Sequence, residues 1–196
     1  MNHLALPLLQ YYAELGCPTD VGPAWTLNTI LAAIATGPHA STLTPEATAF
    51  CRQELLERAQ RGFSIILLVD VAMLVFGNRI RISRLASVDQ ANRKPRLICN
   101  SSAEPDDVTP AVNTSTKKST SPDAIQFGAC LPRLLQKILE VDPSDGPVWL
   151  SKWEISDAFH RCLLRPEAIG ASTYVVPPIP TDISTLLFID LVLPMG

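Results

Sequence analysis

NRIRISRLASVDQANRKPRLICN, residues 78–100, is the stretch on which the fold reading turns. Arg79, Arg81 and Ser83 alternate with Ile80, Ile82 and Arg84, the two-residue period of a strand, which places Arg79 and Arg81 on an exposed face. KPRLICN, residues 94–100, is a second β-prone run. The polar DQANR between them predicts a hairpin. From Arg79 to Arg96 there are six basic residues against the single acid Asp89, a local charge of +5 in a chain whose net charge is −3, so the remainder carries −8. A basic arm on an acidic body suits contact with a polyanion at one edge. An edge strand protected by solvated charge has the same signature.

Working outward, TLTPEATAFCRQELLERAQRGF (42–63) predicts a helix. Thr44 caps it, Pro45 takes the first turn, Glu46 favours the positive end and Gly62 stops it, with Phe50, Leu55 and Leu56 lining much of one face. SIILLVDVAMLVF (64–76) is apolar except for Asp70 and falls short of the roughly 20 residues that span a bilayer, so it reads as a buried helix or strand. A membrane-associated small protein built around this run is the rival reading. Residues 1–40 carry Gly and Pro punctuation and read as a poorly ordered or helical extension, with the boundary at 43 and the main domain at 44–196. SSAEPDDVTPAVNTSTKKSTS (101–121) reads as a loop too hydrophilic to bury. A helix is expected from Ser121 to about Glu140 on the stripe of Phe127, Leu131, Leu134, Leu135, Ile138 and Leu139. VWLSKWEI (148–155) and the final STLLFIDLVLPMG (184–196) read as strands. The element order gives the α+β class.

Composition narrows the class. The 196 residues are 47% hydrophobic and 18% charged, enough for one core and unlike a disordered chain. Five cysteines at 17, 51, 99, 130 and 162 stand more than thirty residues apart, without zinc-ligand spacing. With no basic signal-peptide start, they read as reduced thiols of an intracellular protein, cytoplasmic or nuclear.

Three segments together carry a resemblance: RISRLASVDQANRKPRLICN (81–100), WLSKWEISDAFHRCLL (149–164) and LLFIDLVLPMG (186–196). In order and spacing they resemble the fingers and first palm motifs of the reverse transcriptases of LTR-type retrotransposons. The resemblance covers roughly residues 77–196. It implies a partial right-hand polymerase fold, fingers plus the first part of the palm, with an incomplete antiparallel sheet packed on helices. The reaction it implies is template-directed DNA synthesis from dNTPs.

Residue by residue, the resemblance places Glu154 at the position of the first metal-binding aspartate, with Ile155 lending its carbonyl to Mg2+. Arg96 would grip the incoming triphosphate, where a planar guanidinium suits phosphate oxygens. Asp157 would lie beside the triphosphate and Phe159 would exclude a 2′-hydroxyl. Leu193, Pro194, Met195 and Gly196 would form the turn that positions template and nucleotide, Met195 and Gly196 touching the dNTP. Arg79 and Arg81 are candidate nucleic-acid contacts. The implied partners are template-primer and dNTP, with no membrane, and self-association through an open sheet edge is expected.

This chain departs from the family pattern at Glu154, at Asn100 in place of an aspartate, and at Met195 where many relatives carry glutamine. The sequence stops at Gly196, before the position of the paired aspartates, so a truncated domain inactive alone is expected. The rival is a non-catalytic nucleic-acid-binding or interaction module derived from the fingers. Plainer readings of single residues stand beside these: Glu154 as surface charge, Asp157 as a helix cap, His160 as a packing histidine, and Trp149 and Trp153 as core.

Overall fold

The computed structural model describes residues 6–115, 130–147 and 162–193. Six helices occur among them: α1 (Leu6–Leu15), α2 (Leu27–Thr36), α3 (Pro45–Gln60), α4 (Val69–Phe76), α5 (Val112–Ser115) and α6 (Cys130–Glu140). Five strands, β1 (Ser64–Leu68), β2 (Ile82–Gln90), β3 (Arg93–Asn100), β4 (Thr173–Val175) and β5 (Leu186–Asp190), form one sheet in the order β1-β5-β4-β2-β3. The class is α+β. The sheet is mixed rather than antiparallel, because β4 runs parallel to β2 while the other pairs are antiparallel.

The expected signals produce α3. Thr44 accepts the amide of Ala47, Pro45 opens the first turn, and Gly62 leaves it at φ +75°. Its buried stripe is Thr48, Cys51 and Leu55, whereas Leu56 is half exposed, a correction to the expected face.

The apolar run 64–76 is neither one helix nor one strand. Its β-branched start pairs as β1 with β5, from Ser64 opposite Asp190 to Leu68 opposite Leu186. The chain then turns into α4, where Asp70 sits in the first turn near the positive end of the dipole and Gly77 ends the helix at φ +53°. No helix among the described residues is long and apolar enough to cross a membrane.

Both faces of the sheet are covered. On one, Trp25, Ile30 and Ala33 from the α2 region and Ala72 from α4 pack on Ile82, Val175, Leu187 and Ile189. On the other, Cys51 and Leu55 of α3 pack on Leu85, Leu97, Tyr174 and Phe188. The rings of Tyr174 and Phe188 lie 6.1 Å apart with both side chains fully buried, each worth about 1.5–3 kcal/mol of apolar burial. The segment around α2, placed in the extension by the sequence reading, therefore supplies part of the core of the main domain.

Nor is all of 101–121 too hydrophilic to bury. Ala111 and Val112 are inside, and Asp106 folds the preceding loop by accepting the amides of Val108 and Thr109. Of the helix expected from 121 to 140, α6 is the described part, and Leu134, Leu135 and Leu139 on it are exposed.

Candidate functional site

The hairpin forms where alternation placed it, with a tighter connection than the five polar residues expected. Gln90 opposite Arg93 is the last pair, so Ala91 and Asn92 alone make the loop, and Asn92 takes φ +57°, a conformation asparagine tolerates. The register shifts between Val88 and Gln90, leaving Asp89 at an irregularity that twists the tip.

At the tip Arg93, Lys94 and Arg96 are exposed. Lys94 pairs with Glu54 of α3 and lies 5.8 Å from the centre of the Phe50 ring, and its ammonium is held protonated to higher pH by the hydrogen bond to Glu54. Between α3 and the hairpin opens a cleft of about 400 Å³, lined by Glu54, Arg58, Gln90, Lys94, Arg96 and Ile98. Three of these are cationic and one is acidic. Arg58 Nη1 is buried and has no hydrogen-bond partner among the described residues. Guanidinium and ammonium groups lining an open cleft are donors of the kind that phosphate or carboxylate oxygens accept from.

Arg58 also faces inward, towards a buried polar cluster behind the cleft. Asp190 there is 1% exposed and accepts a hydrogen bond from Ser172 Oγ at 3.1 Å, and Ser172 Oγ is 2.5 Å from the Tyr174 hydroxyl. Burial pushes the Asp190 carboxyl up to about 6, against the opposing pull of Ser172, Arg58 and Tyr174. Cys99, beside the same cluster, is pushed up to about 11 by burial.

The expected site residues separate. Arg96 lines the cleft. Arg79 is exposed but lies outside the strand, in a short 3-10 turn, and donates to the carbonyls of Val75 and Phe76 at the end of α4. Arg81 is a correction: it is 3% exposed rather than on a solvent face. Arg81 immediately precedes β2, an interior strand, and meets Pro23 and Trp25 of the segment before α2. There the guanidinium donates to the carbonyls of Asn78 at 2.8 Å, Ile80 at 3.0 Å and Pro23 at 2.6 Å, and lies 5.5 Å from the Trp25 ring centre. Arg81 is thus committed to the fold, out of reach of a nucleic-acid backbone.

Glu154, Ile155, Asp157, Phe159, Pro194, Met195 and Gly196 lie outside the described residues, as do Trp149, Trp153 and His160. Leu193 is described, and its amide donates to the Cys162 carbonyl. Among the described residues there is no group of three or more His, Cys, Asp or Glu that could hold a metal ion. Sequence reading missed Arg58, because a charge on a helix flank gives no hint that it turns inward, and Asp190, which looked like one more position in an apolar strand.

Neither a protein-family model, nor a curated protein, nor a solved structure matches this chain.

Proposed function

We propose that the chain is the fingers and first palm portion of a reverse transcriptase of an LTR-type retroelement, and that its cleft between α3 and the hairpin meets the phosphates of a nucleotide or a template-primer. What supports the reading is the basic hairpin itself: a two-residue loop projects Arg93, Lys94 and Arg96, and the last two rim an open cleft shared with Arg58. The magnesium ion of the ancestral reaction would depend on Glu154 and Ile155. Both lie outside the described residues.

The reading is tested with a fluorescently labelled template-primer in a salt titration. Affinity falls steeply with salt, and Arg96→Ala lowers the slope of log affinity against log salt by about 1 as one phosphate contact is lost. An unchanged slope sinks the assignment of the cleft.

The second reading, a non-catalytic nucleic-acid-binding module derived from the fingers, is favoured by one point: the cleft needs only the hairpin and α3. Both readings expect no incorporation by this chain alone, so competition by dNTP separates them: displacement of the labelled template-primer from the cleft by dNTP supports the first, and indifference to dNTP supports the second.

A further inference from the structure

We propose that Cys17 and Cys162 are an oxidisable dithiol pair, which hydrogen peroxide converts to a disulfide fastening the N-terminal arm to the ribbon that continues β5. The arm is α1 and the two residues after it, and its docking is specific. Cys17 forms a parallel bridge with Leu164, its amide donating to the Leu163 carbonyl at 2.7 Å and its carbonyl accepting from Arg165 at 3.1 Å. Arg165 Nε donates to the Gly16 carbonyl, and its guanidinium carbon lies 4.8 Å from the Tyr11 ring centre. Gly16 takes φ +81°, and a Cβ there would meet the Leu164 and Arg165 backbone at 2.8 Å, so this close approach needs glycine.

The bridge brings the two cysteines into one neighbourhood. Cys17 shares a face with its partner Leu164, and Cys162 lies at the bend immediately before the bridged residues Leu163 and Leu164. The two thiols are close enough to act on each other, the Cys162 thiol helping to push the Cys17 thiol up. On its other side the 162–165 segment pairs with the continuation of β5: Leu163 bridges Val192, Leu164 donates to the Leu191 carbonyl, and Leu193 donates to the Cys162 carbonyl. A covalent link at 17–162 therefore ties the arm to the ribbon leading into residues 194–196.

The chemistry closes with one oxidant. Cys162, half-buried where Cys17 is buried, is the sulfur that peroxide reaches. Its thiolate attacks a peroxide oxygen, the O–O bond breaks, and the departing hydroxide leaves as water with the thiol proton, giving Cys162 sulfenic acid. The Cys17 thiolate then attacks the Cys162 sulfur. The S–S bond forms, the S–O bond breaks, and a second water leaves with the Cys17 proton. Two thiols are oxidised and one peroxide is reduced to two waters. Burial first, and the Cys162 thiol second, push the Cys17 thiol up, so closure accelerates as pH rises. Cys51 and Cys99, both buried and pushed up to about 11, are far less reactive competitors.

The test is peroxide treatment of the full chain, followed by thiol counting under denaturing conditions and chymotryptic peptide mapping without reductant. Cleavage after Trp25 separates Cys17 from Cys51. The expected result is a monomer lighter by two hydrogens, a loss of two thiols from the five in the sequence, one linked peptide pair joining Cys17 to Cys162, and recovery with dithiothreitol. Because the mapping uses the unaltered chain, it needs no variant to fold. Cys162→Ser abolishes the linkage. Retention of all five thiols, a link through any other pair or between two chains, or persistence of the mass loss in Cys162→Ser overturns the proposal.

Discussion

Arg52 of α3 holds Asp182, in the loop between β4 and β5, through its two terminal guanidinium nitrogens, Nη1 and Nη2, at 2.9 and 3.0 Å. The same carboxylate accepts the Ile179 amide at 2.9 Å, and Arg52 Nη1 also donates to the Pro177 carbonyl. A proline-rich connection is thereby fixed against the helix that covers one face of the sheet. Arg52→Ala is expected to cost about 1–2 kcal/mol, a Tm drop of about 2–8 °C by thermal melting. The Ile179 amide and Arg52 hold the Asp182 carboxyl below the usual carboxylate range. Its contribution is thus present at neutral pH and lost as pH falls through that lowered value, and Arg52→Ala should melt with a weaker acid dependence.

Asp190 predicts the opposite sign. Its carboxyl is raised by burial to about 6 from an ordinary value of 3.8, so the folded state binds a proton more tightly than the unfolded chain. Stability from this group is full below about 3.8 and is lost as pH rises through about 6, on the order of 3 kcal/mol. Asp190→Asn, which keeps the shape and removes the charge, should flatten this loss. Urea unfolding at a series of pH values between about 4 and 8 checks it, and parallel curves for the two proteins would refute it.

Arg81→Ala removes three hydrogen bonds to backbone carbonyls and the contact with Trp25 in one step. A loss of about 3–5 kcal/mol is expected by denaturant unfolding, the size of a broken buried network. Arg81→Lys should recover only part, because an ammonium cannot span three carbonyls as a planar fork does.

Asn92→Val should destabilise the hairpin by about 1–2 kcal/mol, since a β-branched residue at φ +57° is strained, whereas Asn92→Gly should be close to neutral. Chemical shifts of residues 88–95 would report the change locally.

Legibility in the sequence followed how local each determinant is. Thr44, Pro45 and Gly62 act within a few residues of themselves, and α3 lies where they put it. The hairpin was equally readable, because alternation and a polar break are local signals. The run 64–76 was not, since period and length leave a short apolar run ambiguous, and the switch at Val69 depends on β5 lying alongside, with the Val69 amide donating to the Thr185 carbonyl. Arg81 misled for the same reason: its neighbours in the interior, Pro23 and Trp25, stand far away in sequence. Of the candidate site, Arg96 was readable from charge, while Arg58 and Asp190 acquire their roles only through packing.

The strand order carries a consequence for how the chain reaches this state. β5 lies between β1 and β4, so residues 64–68 cannot complete their pairing until residues 186–190 have been made. At the ribosome nearly the whole chain would be made before SIILL gains its antiparallel neighbour, while the hairpin and the helices could form early from contacts near in sequence. Such a chain is expected to fold slowly and in one late step, and to lean on chaperones while it waits.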